Sequence, residues 1–240
     1  MVRGFDSFRA WFRGYEDNYV IIGGTACDLL MGAAGDEFRA TKDIDIVIIS
    51  EALNKDFGKQ LWEYIKIADY QTRLKSNGAP IYYRFSNPMS SEFPAMIELF
   101  SRRLDNIFLP PDAVLTPLPI DDEISSLSAI LLDDEYYNFM QTGIINSNDV
   151  PILDVSHIIP FKAKAWIDLS TKRAQGFPVD SKHIRKHKND ILRLSGLLSS
   201  EMKIPLPDKV MADMQFFFSN VDEPERFLRV SEAFMAESGK

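Results

Sequence analysis

The sequence reads as an α/β (α+β) core, a small mixed sheet flanked by helices, followed by a mainly helical C-terminal domain. Two short β-branched runs, 19–22 and 43–49, are separated by a glycine turn and a short helical stretch. A cluster of prolines, Pro110, Pro111, Pro117 and Pro119, then marks a linker. Beyond it the apolar residues recur at helical rather than strand spacing. The expected division is therefore 1–120 for the core and 121–240 for the helical domain.

In chain order, Phe5, Phe8, Trp11, Phe12 and Tyr15 share a helical stripe. Tyr19-Val20-Ile21-Ile22 reads as a buried strand that stops at Gly23-Gly24. Thr25 is the expected N-cap of a short helix, Ala26 to about Ala34. Asp43 to Ile49 is the next strand. Ser50 then caps a helix from Glu51 to about Tyr70. Asn77-Gly78 signals a turn, and Ile81–Phe85 and Ala95–Phe100 read as strands. Leu127–Leu132 and Tyr136–Thr142 fit either a hairpin across Asp133-Asp134-Glu135 or one irregular helix. Ser156 opens a helix through Lys172 with Pro160 in its first turn. A basic helix follows from Ser181 to about Leu198, and a last helical stretch carries a stripe from Met211 to Phe218 that reads as core.

The chain of 240 residues is 45% hydrophobic, enough to bury a core. It has no apolar run long enough for a membrane span and no signal-peptide pattern at its start. Its one cysteine, Cys27, forms no internal disulfide. These features point to a reducing cytoplasm. The net charge of −8 is unevenly spread: residues 161–193 carry nine Lys/Arg against three Asp, while the first 160 residues carry −11. An acidic front and a basic segment suggest a metal-binding half and a polyanion-facing half, although a charge run more often just faces water.

The chemistry concentrates at two places. Asp43 and Asp45 alternate with Ile44 and Ile46, so both carboxylates face one side of a strand, about 7 Å apart. Such a pair repels itself unless a cation lies between, and Mg²⁺ takes carboxylate and phosphate oxygens. Gly23-Gly24 ends the preceding strand and opens a helix whose free N–H groups form an anion site. A phosphate cradle beside a dicarboxylate strand is the minimum equipment for phosphoryl or nucleotidyl transfer. Glu98 is the candidate third acid, because a Glu among Met96, Ile97, Leu99 and Phe100 is rarely buried without a partner. It would serve as general base or hold a second metal ion. The competing reading pairs it with Arg84 or Arg102. His183 and His187 have a zinc-compatible spacing but stand among Lys182, Arg185, Lys186 and Lys188, and are set aside. Cys27 reads as a small packed side chain.

The segments Tyr19-Val20-Ile21-Ile22-Gly23-Gly24-Thr25-Ala26 and Arg39-Ala40-Thr41-Lys42-Asp43-Ile44-Asp45 resemble the signature of the polymerase-β-like nucleotidyltransferase superfamily, and most closely its AbiEii-type branch. That branch includes toxins of toxin–antitoxin pairs. The resemblance covers residues 19–49 and implies Asp43, Asp45 and Glu98 as metal-binding and catalytic residues, with Gly23, Gly24 and Thr25 at the phosphates. More loosely, residues 160–166 resemble the family's Lys-bearing helix and residues 186–194 its Asp-bearing helix. On that likeness Lys162 or Lys164 would reach the triphosphate and Asp190 would help position it. The chain departs from the family's Arg-Asp pair, showing only Val179-Asp180, and the role of Asp180 stays open.

The expected function is thus Mg²⁺-dependent transfer of a nucleotide from an NTP to an acceptor, with two metal ions. The basic stretch 161–193 favours an RNA acceptor such as tRNA, the resemblance suggests a cognate antitoxin protein, and no membrane is involved. The alternatives are an aminoglycoside-type small-molecule nucleotidyltransferase and a non-catalytic nucleotide-binding module that acts through a partner protein.

Overall fold

A computed structural model describes residues 2–49, 51–72, 82–101, 130–199 and 201–235. Asn77-Gly78, the prolines at 110, 111, 117 and 119, and Leu127 lie outside them. The chain divides into two compact units, Met1–Pro119 with Ile144–Leu153, and Ile120–Gly143 with Asp154–Lys240.

The first unit is organised by seven strands among the described residues: β1 Tyr19–Ile22, β2 Asp43–Ile48, β3 Gln71–Thr72, β4 Tyr82–Ser86, β5 Met96–Phe100, β6 Ile144–Ser147 and β7 Val150–Leu153. They form one sheet in the order β3-β4-β5-β2-β1-β7-β6. β2 and β5 run parallel, as do β1 and β7, and the other neighbours are antiparallel. The sheet is therefore mixed. β1 is buried throughout, as expected of an apolar run covered on both faces.

Helices α1 (Phe5–Trp11) and α3 (Lys55–Ile67) cover one face. Tyr19 of β1 meets Phe8, Phe12 and Phe57, and Phe85 of β4 meets Trp62 edge-on at 5.9 Å. Tyr64 of α3 adds edge-on contacts to Phe8 and Phe12 at 5.9 and 5.4 Å. Such pairs contribute about 0.5–1.5 kcal/mol each beyond the area they bury. By register, Ile21, Ile44, Ile46 and Ile97 share that covered face with Tyr19 and Phe85. The opposite face carries Asp43, Asp45 and Glu98.

Several expected boundaries shift for local reasons. α3 starts later than Glu51, because Asn54 rather than Ser50 is its cap and accepts from the Phe57 N–H at 2.9 Å. Helix α2 (Gly23–Ala33) begins at the glycines themselves, with Ile22 in the cap position and no side-chain cap. Thr25 does not cap it; its hydroxyl donates to the Asp43 carbonyl at 2.6 Å and ties α2 to β2. The first helix ends at Trp11, earlier than Tyr15. The hairpin in the region around 127–154 is β6–β7, turning at Asn148 and Asp149, both with positive φ. Tyr136–Thr142 is helical. The hairpin joins the sheet because β1 presents an open edge, and Ile152 pairs with Ile21 there.

The second unit is helical among its described residues: α4 Asp134–Thr142, α5 Val155–Ala174, α6 Ser181–Leu194, α7 Asp208–Asn220 and α8 Leu228–Phe234. Aspartates cap three of these helices. Asp133 accepts from the Tyr136 N–H, Asp154 from Ser156 and Asp180 from Lys182. Asp154 thus replaces Ser156 as the cap of α5, and Asp180 acquires a structural role. Pro160 is the sixth residue of α5 rather than in its first turn, so the helix gives up one bond to Ser156. Trp166, Phe217 and Phe227 form an edge-on chain at 5.2 and 5.3 Å. Within the 211–218 stripe, Met214 and Phe217 are core while Phe216 is 48% exposed. Among the described residues no helix is long and apolar enough to cross a membrane.

Candidate active site

The acids of β2 are separated from the core by the pleat. Ile44 and Ile46 are buried, while Asp43 and Asp45, which alternate with them, are half-buried. Both carboxylates therefore occupy the face left uncovered by α1 and α3. Register then brings in Glu98: Asp45 of β2 lies beside Glu98 of β5, and Asp43 beside Met96. Adjacent strands are about 4.8 Å apart, so Glu98 is an immediate neighbour of Asp45 on the same face. One row across four strands reads Arg84, Glu98, Asp45, Ile22.

Glu98 is 7% exposed. Burial, then the charge of Asp45, push its carboxyl up to about 8, and Asp43 adds to the effect. Arg84 opposes this rise, because its Nε donates to Oε1 at 2.7 Å and a terminal nitrogen reaches the same oxygen at 2.6 Å. Of the two partners the sequence left open, Arg84 is the one found; Arg102 lies outside the described residues. Glu98 is thus ion-paired with Arg84 and also stands beside Asp45 in the sheet.

The glycine turn adjoins these acids. Gly23 has φ +66, and a Cβ there would fall 1.9 Å from Asp45 Oδ2. Only glycine meets both demands, the left-handed backbone and the close carboxylate. The positive φ belongs to Gly23, not Gly24. At Gly24 the crowding comes from Thr41, whose Oγ1 would lie 2.7 Å from an added Cβ, while Arg39 stands at ordinary contact distance, 3.7 Å. Arg39, Thr41 and Arg84 were not singled out as site residues. The first two carry a signal in the sequence, their place just ahead of Asp43. Thr25, 1% exposed, has its hydroxyl committed to Asp43, so its offer to an anion is the backbone N–H.

Lys162, Lys164 and Asp190 lie in the second unit. Lys162 on α5 and Asp190 on α6 form a buried pair, Nζ to Oδ2 2.8 Å, at 6% and 0% exposure. A solvated helix face does not describe this lysine. Lys164 meets Asp168 at 3.3 Å and Asp213 at 3.4 Å. Cys27 is buried, as a packed side chain should be.

Among the described residues no group of three or more His, Cys, Asp or Glu forms a ready-made metal cluster. The donors nonetheless fit a hard cation chemically. Asp43, Asp45 and Glu98 are all oxygen ligands on one face, and two like charges lie in adjacent register. Glu98 would share its carboxylate between such an ion and Arg84.

No protein-family model matches the sequence, and no curated protein matches it. Among solved structures, the chain is similar to the crystal structure of an antigenic nucleotidyltransferase-like protein from Paracoccidioides brasiliensis. The identity is 17% over 90% of this chain and 85% of that chain, with a TM-score of 0.47. Function is therefore read from the chain's own residues.

Proposed function

We propose that this chain is a Mg²⁺-dependent nucleotidyltransferase. The observation that carries the reading is the placement of Asp43, Asp45 and Glu98 on one sheet face, with the Asp45 carboxylate against Gly23 at the opening of α2. Asp43 and Asp45 would hold the cation, with Glu98 as third ligand or base. Two ions fit the metal-assisted form of this chemistry. A bound cation neutralises triphosphate charge and acidifies a nearby hydroxyl. The backbone N–H groups of Gly23, Gly24 and Thr25 would cradle phosphate oxygens. The acceptor hydroxyl oxygen attacks the α-phosphorus and its proton passes to the Glu98 carboxylate. The bond to the β-phosphate breaks and pyrophosphate leaves. On the family resemblance, Lys162 or Lys164 would reach the triphosphate and Asp190 would help position it.

The acceptor, an RNA such as tRNA, and a toxin role with a cognate antitoxin belong to the same proposal. They are supported by the resemblance at residues 19–49 and by the basic stretch 161–193. One observation favours a small cationic acceptor instead. A cavity of about 560 Å³ beside α2 is lined by Asp28, Asp36 and Glu37 together with Thr41 and Asn148, a setting hostile to polyanions. The test is incubation with radiolabelled NTPs, Mg²⁺ and either total RNA or an aminoglycoside. Label on RNA supports the first acceptor, label on the aminoglycoside the second, and no transfer to either under any NTP overturns the enzyme reading in favour of a binding module.

A further inference from the structure

We propose that Arg84 is a positioning residue for the three-acid site, pinning Glu98 through one carboxylate oxygen and leaving the other for a divalent cation shared with Asp45. The inference rests on reading Asp43, Asp45 and Glu98 as a cation site.

The geometry is specific. A guanidinium fork meeting a carboxylate commonly engages both oxygens with parallel bonds. Here the Nε at 2.7 Å and the terminal nitrogen at 2.6 Å converge on Oε1 alone. Arg84 and Glu98 are direct partners in the β4–β5 ladder, so the backbone fixes their separation. β4 is an inner strand with β3 beyond it, and the Arg84 side chain is 26% exposed. The guanidinium is thus held on the side of Glu98 away from Asp45, in a four-strand row that runs Arg84, Glu98, Asp45, Ile22.

The chemistry needs such a group. Glu98 stands among buried Ile97, Leu99 and Phe100, where an isolated carboxylate anion is costly. Its neighbour across the parallel rung, Asp45, carries the same sign. A guanidinium on the far side of Glu98 sets an opposite charge against that carboxylate and fixes its orientation. Carboxylates that bind metals are themselves oriented by hydrogen bonds, and loss of such a partner costs 10–100-fold in metal affinity. A salt bridge that merely braced the sheet would affect folding stability and leave cation affinity alone.

The test is Mn²⁺ uptake without nucleotide, read from the free-ion electron paramagnetic resonance signal, with circular dichroism to verify folding. Wild-type protein is expected to take up Mn²⁺ and Asp45→Asn to lose it. Arg84→Gln should raise the Kd by about 10–100-fold. Arg84→Lys keeps the charge but loses the planar fork, and should fall between the two. Uptake by Arg84→Gln as tight as wild type, or tighter, overturns the positioning role. If Arg84→Gln does not fold, Arg84→Lys decides, and an unchanged Kd there overturns it equally. Loss in Asp45→Asn with full uptake in both Arg84 variants removes the role of Arg84 and leaves the cation site standing. No uptake by wild-type protein removes both.

Discussion

In the first unit, three carboxylates share one sheet face, with Arg84 beside the outermost of them. In the second, Lys162 and Asp190 bury one charge of each sign 2.8 Å apart. The second arrangement is complete in itself, with opposite charges in direct contact inside the unit. The first sets carboxylates side by side, and like charges in adjacent register raise the energy of the folded chain. Carboxylates crowded in this way recur at functional sites. The contrast is between a cluster that the proposed reaction would use and a pair whose charges already meet.

The largest expected effect tests the working side. Asp45→Asn should lower nucleotide transfer by at least about 10³-fold, while thermal melting in chelator stays level or rises, because a repulsion has been removed. A variant that transfers at the wild-type rate would break the comparison at its first term. Next, Lys162→Met should cost about 3–5 kcal/mol in urea unfolding, because buried Asp190 loses its 2.8 Å partner and keeps a longer contact to Arg193 at 3.9 Å. The double variant Lys162→Met/Asp190→Leu should recover most of that. If Lys162→Met instead leaves stability intact and stops transfer, the pair belongs to the reaction and the contrast dissolves.

Glu98→Gln sharpens the comparison in two ways. Turnover should fall by at least about 10²-fold while NTP affinity stays within about tenfold. Stability should also change its pH dependence. Burial and Asp45 raise the Glu98 carboxyl from 4.5 to about 8, so the folded state holds a proton that the unfolded chain has released. The stabilisation is full below 4.5 and is lost as pH rises through about 8, at up to about 1.4 kcal/mol per pH unit. In chelator, wild-type melting temperature should fall across that window and Glu98→Gln should flatten the fall. A parallel decline in both would assign the trend to other groups. The smallest effect is Asp154→Ala at the start of α5, about 1 kcal/mol by thermal melting. Its folded carboxyl is lowered by His157 and Ser156 against the opposing effect of burial. That contribution should be present above about 4 and disappear as pH falls below it.

The parts legible in sequence were local. The β1–glycine–α2 unit and the alternation of Asp43, Ile44 and Asp45 follow from turn chemistry and a period of two. The neighbouring of Asp45 and Glu98 depends on a parallel pairing between β2 and β5, strands with a helix and two other strands between them in the chain, and no local pattern encodes it. The same holds for Lys162 and Asp190. Lys162 looks like any helical lysine until α6 packs against α5. Cap residues slipped by a few positions at Asn54 and Asp154 because Ser, Asn and Asp crowd these helix starts and compete for the same N–H groups. Thr25 was drawn instead to the Asp43 carbonyl, a partner that exists only once β2 is in place.

The hairpin β6–β7 has a consequence for how the chain is made. β7 zips onto β1, the strand that leads into the glycine turn, yet it emerges from the ribosome more than a hundred residues later. Until then β1 presents a naked backbone edge, and closing so long a loop is slow and leaves it open to wrong partners. A fragment ending at residue 120 would keep that edge permanently. Such a piece should associate through β1, whereas one extended through Leu153 can seal it.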